Sequence, residues 1–155
     1  MFNPIHDGVD HINIYTKANT HLGTFLTNLA NVRVPTEDGE FASLEGYWYW
    51  LSTKDDRLRN LGGFAAKKLG KTLKREMGDE SVFRDKIYKA SWAKLHTYPD
   101  CLKLFRESTL PFTHYYVYGG TAVDANFKWI VEMWEIFRSY IQNYYNKIEE
   151  NNYDY

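Results

Sequence analysis

The chain has 155 residues, of which 19 are Lys or Arg, 20 are Asp or Glu, and 17% are aromatic. This length is typical of one domain with its own core, and a hydrophobic fraction of 44% excludes an intrinsically disordered chain. A formal charge of −1 does not provide the basic surface that duplex nucleic acid requires, so we expect no duplex nucleic acid as a partner.

The first forty residues predict short and mostly extended segments. Residues 1–10 are polar and predict an N-terminal arm, and the alternation over residues 12–15 predicts a strand. Residues 23–30 mix small, polar and apolar side chains and predict a turn followed by irregular structure. Residues 32–34 alternate again, and the following Asp38-Gly39 pair is a strong turn signal.

The middle of the chain predicts three helices. Ser43 is a suitable N-cap for a helix over residues 44–51, and we expect that helix to be buried because it is apolar on nearly every side. Residues 64–73 predict a short basic helix. Asp79 is suited to cap the next one, over residues 81–95, where apolar residues recur at close to 3.6-residue spacing.

The last third predicts two more helices around one extended segment. Residues 99–108 predict a helix that begins at a proline, and residues 111–118 predict a strand or an extended loop. Residues 127–148 keep helical spacing for about six turns, and residues 149–155 predict a flexible tail. We therefore expect an α+β fold, a single mainly helical domain over residues 11–148 with a few short strands.

No part of the sequence indicates a membrane, a metal or a cofactor. No stretch approaches 18 uncharged apolar residues, and the N-terminus lacks the basic start and apolar run of a signal peptide. The lone Cys101 cannot form an internal disulfide, and we expect it to be a structural thiol of a cytoplasmic protein. The five His residues follow no metal-ligand spacing, and no nucleotide-binding glycine motif is present, so we expect no metal and no cofactor.

Three features are candidates for chemistry, each with a structural alternative. Glu45 lies on the first turn of the most aromatic helix, where it either interacts with the helix dipole or occupies an apolar pocket with a perturbed pKa. The lysines of residues 67–71 either hold a phosphate or form a solvated face. The tyrosines of residues 115–118, followed by Gly119-Gly120, either stack on a base or pack in the core.

Taken together, these segments resemble the NADAR family, also called YbiA-like, from Ile12 to about Ile141. Each motif is weak alone, but five occur in the family's order. They are Ile12-Asn13-Ile14-Tyr15-Thr16, Thr27-Asn28-Leu29, Asp38-Gly39, Ser43-Leu44-Glu45-Gly46-Tyr47-Trp48 and Ala66-Lys67-Lys68-Leu69-Gly70-Lys71.

The resemblance implies a small α+β protein that binds an ADP-ribose-like nucleotide and cleaves an N-glycosidic bond. It places Glu45 on the family's catalytic glutamate, which stabilises an oxocarbenium-like sugar and orients or deprotonates a water. Asn28 would orient the ribose or Glu45, and Lys68 and Lys71 would meet phosphates. The other expected ligand contacts are Tyr47, Trp48, Gly70, Tyr116, Tyr118 and Gly119. The aromatic residues expected in the core are Trp48, which is in both sets, Trp50, Trp92, Trp134 and Phe137.

The sequence also departs from the family pattern at three places. Gly46 replaces a His, Met77-Gly78-Asp79-Glu80 has no Trp, and the nearest acid to the Gly119-Gly120 loop is Asp124. Two functions therefore stay open: an N-glycosidase acting on ADP-ribosyl-guanine or a related bond, and a non-catalytic sponge for cyclic ADP-ribose-type immune signals, as in phage anti-defence. The second would act in the host cytoplasm. The last helix either packs in the core or forms the interface of a homo-oligomer.

Overall fold

The computed structural model describes residues 2–153, and their internal contacts divide the chain into two compact units. The first unit contains residues 2–24 and 100–153, and the second contains residues 25–99. The secondary structure confirms an α+β fold in which helices predominate and the strands are short.

Helix α2 (Leu44–Thr53) is central to the second unit. Ser43 caps it as the sequence predicts, since its Oγ accepts a hydrogen bond from the Gly46 N–H at 3.1 Å. Lys54 ends the helix in the left-handed conformation, with φ at 55°. Around α2 lie the other elements of the unit: the hairpin of β2 (Val34–Thr36) and β3 (Gly39–Phe41), a 3₁₀ segment over Asp56–Asn60, α3 (Gly63–Gly70) and α4 (Glu80–Thr97).

The hairpin and α4 follow from local signals in the sequence. Val34 pairs with Phe41 in antiparallel register, and the turn uses Gly39 at a φ of 106°, which favours glycine. The Asp79 carboxylate caps α4 by accepting from the Ser81 N–H at 2.8 Å. Fully buried side chains fill the core of this unit: Leu26, Val34, Phe41, Leu44, Tyr47, Leu58, Ile87, Lys94 and Leu95.

The first unit contains two strand pairs and two of the longer helices. Strand β1 (Ile12–Asn13) pairs in parallel with β4 (Phe112–Thr113), and β5 (Tyr115–Tyr118) pairs antiparallel with β6 (Thr121–Asp124). Helix α5 (Pro99–Glu107) begins at the predicted proline. Helix α6 (Lys128–Tyr153) buries Ile130, Met133, Trp134 and Ile141 in this unit.

Residues 2–10 and 149–153 belong to the segments predicted as an N-terminal arm and a flexible tail. Asp7 is buried, and its carboxylate accepts hydrogen bonds from the backbone N–H groups of Asn13 at 2.9 Å and Asn19 at 2.8 Å. These bonds tie Asp7 to β1 and to the loop that follows it, while most of residues 2–10 are exposed. Helix α6 continues through residues 149–153, which contain no proline or glycine that would end it. Residues 154–155 lie outside the described part.

Two further elements were not predicted. Helix α1 (His21–Leu26) forms where the sequence predicts a turn, and β6 forms after the Gly119-Gly120 turn. Trp134 is fully buried as predicted, whereas the other expected core aromatics are half-buried, namely Trp48, Trp50, Trp92 and Phe137. Among the described residues, no helix is both long enough and apolar enough to cross a membrane.

Candidate functional site

Glu45 is held by backbone contacts on the first turn of α2. Its N–H donates to the carbonyl oxygen of Asn28 at 2.9 Å, and the Ser43 hydroxyl donates to the carbonyl oxygen of Leu61 at 3.1 Å. The start of α2 is thereby tied both to the segment before β2 and to the one before α3. These ties fix the backbone from which the Glu45 side chain extends.

The Glu45 carboxyl group has a strongly perturbed pKa. Burial raises its pKa from the ordinary value of 4.5 to about 7, because desolvation disfavours the charged form. The positive charges of Lys67, Arg75 and Lys71 act in the opposite direction and lower this pKa, in that order of strength, but they do not outweigh burial. At neutral pH the group is therefore close to half ionised, which suits a group that exchanges protons.

Helix α3 brings two of these cations to Glu45. Its first residue, Gly63, donates its N–H to the Asn31 side-chain oxygen at 2.9 Å, and a Cβ there would lie 2.1 Å from the carbonyl oxygen of Leu29. Only glycine allows this close approach. Lys67 and Lys71 are four residues apart and share a helix face.

Lys68, predicted from the family resemblance as a phosphate contact, is exposed and lies one step around α3 from the face of Lys67 and Lys71. The cations whose charges act on Glu45 are Lys67, Arg75 and Lys71. Contact of Lys68 and Lys71 with phosphates stays a prediction, and Lys67 and Arg75 are further cations whose charges act on Glu45.

Tyr49 and Arg75 complete the cluster, and neither was predicted. Tyr49 lies one turn after Glu45 on α2, and the Arg75 guanidinium lies over its ring at 4.7 Å from the centroid. Arg75 also donates from Nε to the Ser52 Oγ at 2.8 Å. Burial, followed by the charge of Glu45, raises the pKa of the Tyr49 phenol, so Tyr49 stays protonated at neutral pH.

Gly70, predicted as a ligand contact, has a packing role in the structure. A Cβ at this position would lie 2.2 Å from Cγ of Tyr49, so the ring occupies the space that a side chain would need. Gly70 is buried and lets α3 approach α2 closely. The Tyr49 ring therefore accounts for a glycine at this position without any ligand.

The structure places Tyr47 in the core, although the sequence predicted a ligand contact. Its side chain is fully buried, and its hydroxyl donates to the Asp38 carboxylate at 2.6 Å. Burial and this carboxylate both raise the pKa of Tyr47, and the hydrogen bond lowers that of Asp38. Trp48 is half-buried and packs edge-on against Phe83, with ring centroids 4.7 Å apart.

Asn28 takes part in the site through its backbone. Its carbonyl oxygen accepts the Glu45 N–H, and the residue is half-buried. Contact of its side chain with a ribose stays a prediction.

The predicted tyrosine platform belongs to the first unit. Tyr115 is buried, whereas Tyr116 and Tyr118 share the other face of β5, with ring centroids 6.3 Å apart. Tyr118 is 66% exposed, and Gly119 begins a turn with positive φ. Stacking of a base on Tyr116 and Tyr118 stays a prediction, as does a ligand contact of Gly119.

Comparison with known proteins identifies a shared fold. The solved structure of the E. coli protein YbiA matches with a TM-score of 0.66 and 18% sequence identity, over 90% of this chain and 88% of YbiA. No family model and no curated protein sequence matches the chain. At this identity the similarity establishes the fold, which is the fold that the sequence resemblance predicted.

Proposed function

We propose that the chain binds an anionic, ADP-ribose-type nucleotide beside Glu45 and hydrolyses the bond between a ribose and its base. The observation that supports this is the desolvated Glu45 carboxyl group, whose pKa is raised to about 7 while three cations act on it. Perturbed carboxyl groups of this kind are frequent at catalytic sites. The YbiA-like fold and the sequence resemblance agree with the proposal.

Each charged group has a separate role in this reaction. The phosphates are attracted by Lys67, Lys71 and Arg75. The three positive charges of these residues exceed the one negative charge of Glu45 when it is ionised. The Glu45 carboxylate stabilises the positive charge that develops on the ribose as the bond to the base lengthens, and it accepts a proton from the attacking water. Overall, one water adds OH to the sugar carbon and H to the departing base.

One feature favours the alternative, binding without turnover. The family's His beside the glutamate is replaced here by Gly46, where a Cβ would lie 2.7 Å from the carbonyl oxygen of Leu58. No side chain fits at this position without displacing the backbone of residue 58. A second proton-transfer group adjacent to Glu45 is thus sterically excluded at position 46, and the protein in this alternative holds a cyclic ADP-ribose-type nucleotide intact.

Incubation with nucleotides distinguishes these functions. The protein is mixed with NAD, cyclic ADP-ribose or ADP-ribosyl-guanosine and then heated, and the released nucleotides are analysed. Free base formed over many turnovers, and lost in Glu45→Gln, supports hydrolysis. Intact ligand recovered in stoichiometric amount supports sequestration. If no nucleotide raises the melting temperature, both functions are wrong, because a ligand that binds only the native state must stabilise it.

A pair of lysine variants tests the phosphate contact. Lys71→Gln removes a cation that acts on Glu45, whereas Lys74→Gln removes an exposed lysine three residues further along. We expect Lys71→Gln to weaken nucleotide binding about tenfold and to flatten its dependence on salt, with little effect of Lys74→Gln. Equal losses in the two variants would indicate a general effect of surface charge and would contradict the proposed contact.

A further inference from the structure

Lys94 lies inside the second unit although it is a lysine. Its side chain is fully buried on α4, and lysine is almost never buried to this extent unless a specific partner holds it. The Nζ atom donates a hydrogen bond to the carbonyl oxygen of Thr27 at 2.9 Å and lies 5.0 Å from the ring centroid of Phe25. Because burial of an ammonium group is costly, and a Met of similar size would pack there without a charge, the bond to Thr27 indicates a specific role.

The carbonyl oxygen that Lys94 binds begins a tight turn over residues 27–30. The same oxygen accepts the Ala30 N–H at 3.1 Å, and the Thr27 hydroxyl accepts the Leu29 N–H at 3.3 Å. Lys94 therefore uses the second lone pair of this carbonyl and attaches the turn to α4. Since both partners are buried, the bond is shielded from competing water.

The turn also contacts the two helices that build the candidate site. The carbonyl oxygen of Asn28 accepts the Glu45 N–H at 2.9 Å, at the start of α2. The carbonyl oxygen of Leu29 occupies the space that a Cβ on Gly63 would need, at the start of α3. Helix α3 carries Lys67, whose charge acts on Glu45. A shift of the turn would therefore disturb the carboxyl group and this cation together.

We propose that Lys94 is a positioning residue, which holds the turn in the place where it supports Glu45 and the start of α3. This role rests on the proposed function, in which Glu45 is the reacting group. The ammonium group holds the Thr27 carbonyl, and the next carbonyl of the turn, that of Asn28, holds the Glu45 N–H. Without Lys94 the turn keeps its local bonds but loses its attachment to α4, and water then reaches the Glu45 carboxyl group more readily.

Hydrogen exchange at two neighbouring amides measures this support. The first N–H groups of a helix have no partner within it, so the Glu45 N–H depends on Asn28, whereas the Gly46 N–H depends on the Ser43 hydroxyl. In Lys94→Met, which lacks the donor, we expect the Glu45 N–H to exchange at least about tenfold faster and the Gly46 N–H less than about threefold faster. Lys94→Gln, which is uncharged and shorter, should give a smaller change in the same direction, and it replaces Lys94→Met if that variant does not fold.

Ile87→Ala is the matched control for a general loss of stability. Ile87 is fully buried on α4, about two turns before Lys94, and its truncation leaves a cavity in the core. We expect it to accelerate exchange at Glu45 and Gly46 by the same factor, because both amides then exchange through wider unfolding. Equal acceleration of the two amides in Lys94→Met, or no acceleration, would overturn the proposal and leave Lys94 a residue of the core only.

A carboxyl ¹³C NMR titration relates the same variant to the chemistry of the site. Water admitted to Glu45 in Lys94→Met should lower its pKa from about 7. Loss of a positive charge alone would raise this pKa, so a raised or unchanged midpoint would contradict positioning.

Neither exchange nor titration requires a ligand, which separates this role from the proposed function. If both change in Lys94→Met but the wild type binds no nucleotide, the proposed function is wrong and the positioning of Glu45 stands. If the wild type binds ADP-ribose but neither exchange nor titration changes in the variant, the positioning role is wrong and the proposed function stands.

Discussion

Replacing Glu45 by Gln tests the central electrostatic observation without any ligand. The folded protein raises the pKa of this carboxyl group from 4.5 to about 7. Below pH 4.5 the group is protonated in both states, so its stabilising contribution is fully present. As the pH rises from 4.5 to about 7, the unfolded chain ionises first, and that contribution is lost. At about 1.36 kcal/mol per pKa unit, the loss amounts to roughly 3 kcal/mol.

Gln has nearly the same shape as a protonated Glu and cannot ionise. We therefore expect Glu45→Gln to match the wild-type free energy of unfolding near pH 4.5, and to exceed it by roughly 3 kcal/mol above pH 7. Urea unfolding at intervals of about one pH unit from about 4.5 to about 8.5 measures this difference. Glu76→Gln, which removes an exposed carboxylate of the same unit, is the control and should change stability by less than about 0.5 kcal/mol. A difference that does not vary with pH would refute the perturbed pKa.

Three further substitutions test the surroundings of Glu45. Gly70→Ala should destabilise the protein by about 1–3 kcal/mol in urea unfolding, since its Cβ would lie 2.2 Å from the Tyr49 ring, while Lys68→Ala on the same helix stays near neutral. Tyr47→Phe should cost about 1 kcal/mol by removing the hydrogen bond to Asp38, which keeps Lys86 as a partner at 3.3 Å. Arg75→Gln removes a cation and should raise the pKa of Glu45, seen as a higher midpoint in a carboxyl ¹³C NMR titration, and an unchanged midpoint would contradict this.

The elements that the sequence predicts well are those specified by local signals. Helices α2 and α4 have a capping side chain immediately before them, at Ser43 and Asp79, and the β2–β3 turn has Asp38-Gly39. Helix α1 also has a capping side chain before it, since the Thr20 Oγ1 accepts a hydrogen bond from the Gly23 N–H at 2.9 Å, but the helix is only six residues long and contains Gly23. A Cβ on Gly23 would lie 2.2 Å from the carbonyl oxygen of Asn13, so this glycine serves a contact distant in sequence, which local patterns do not reveal.

The groups that surround Glu45 were only partly evident from the sequence, for a similar reason. Glu45 stands out because a carboxylate begins an aromatic helix. Arg75 gave no signal, because it follows the end of α3 and reaches Tyr49 and Ser52 only through tertiary packing. Tyr47 was expected near a ligand along with the family resemblance, but Asp38 binds its hydroxyl in the core. Spacing along a helix therefore reveals neither that Arg75 lies near Glu45 nor that Tyr47 lies in the core.

If the proposed nucleotide binds beside Glu45, the cations around this residue should couple binding to proton uptake. A phosphate bound at Lys67, Lys71 and Arg75 would offset the charges that now lower the pKa of Glu45, and its own negative charge would raise that pKa further. Linkage then requires that the affinity for an anionic nucleotide increase as the pH falls through about 7.

Calorimetry of ADP-ribose binding at about pH 7, in two buffers of different ionisation enthalpy, should detect uptake of a fraction of one proton, and Glu45→Gln should abolish it. Hydrolysis needs the ionised carboxylate, so turnover should increase with pH over the range in which affinity decreases. Tight binding without proton uptake in the wild type would mean that the anion lies away from Glu45, and the assignment of the three cations to phosphate would then be wrong.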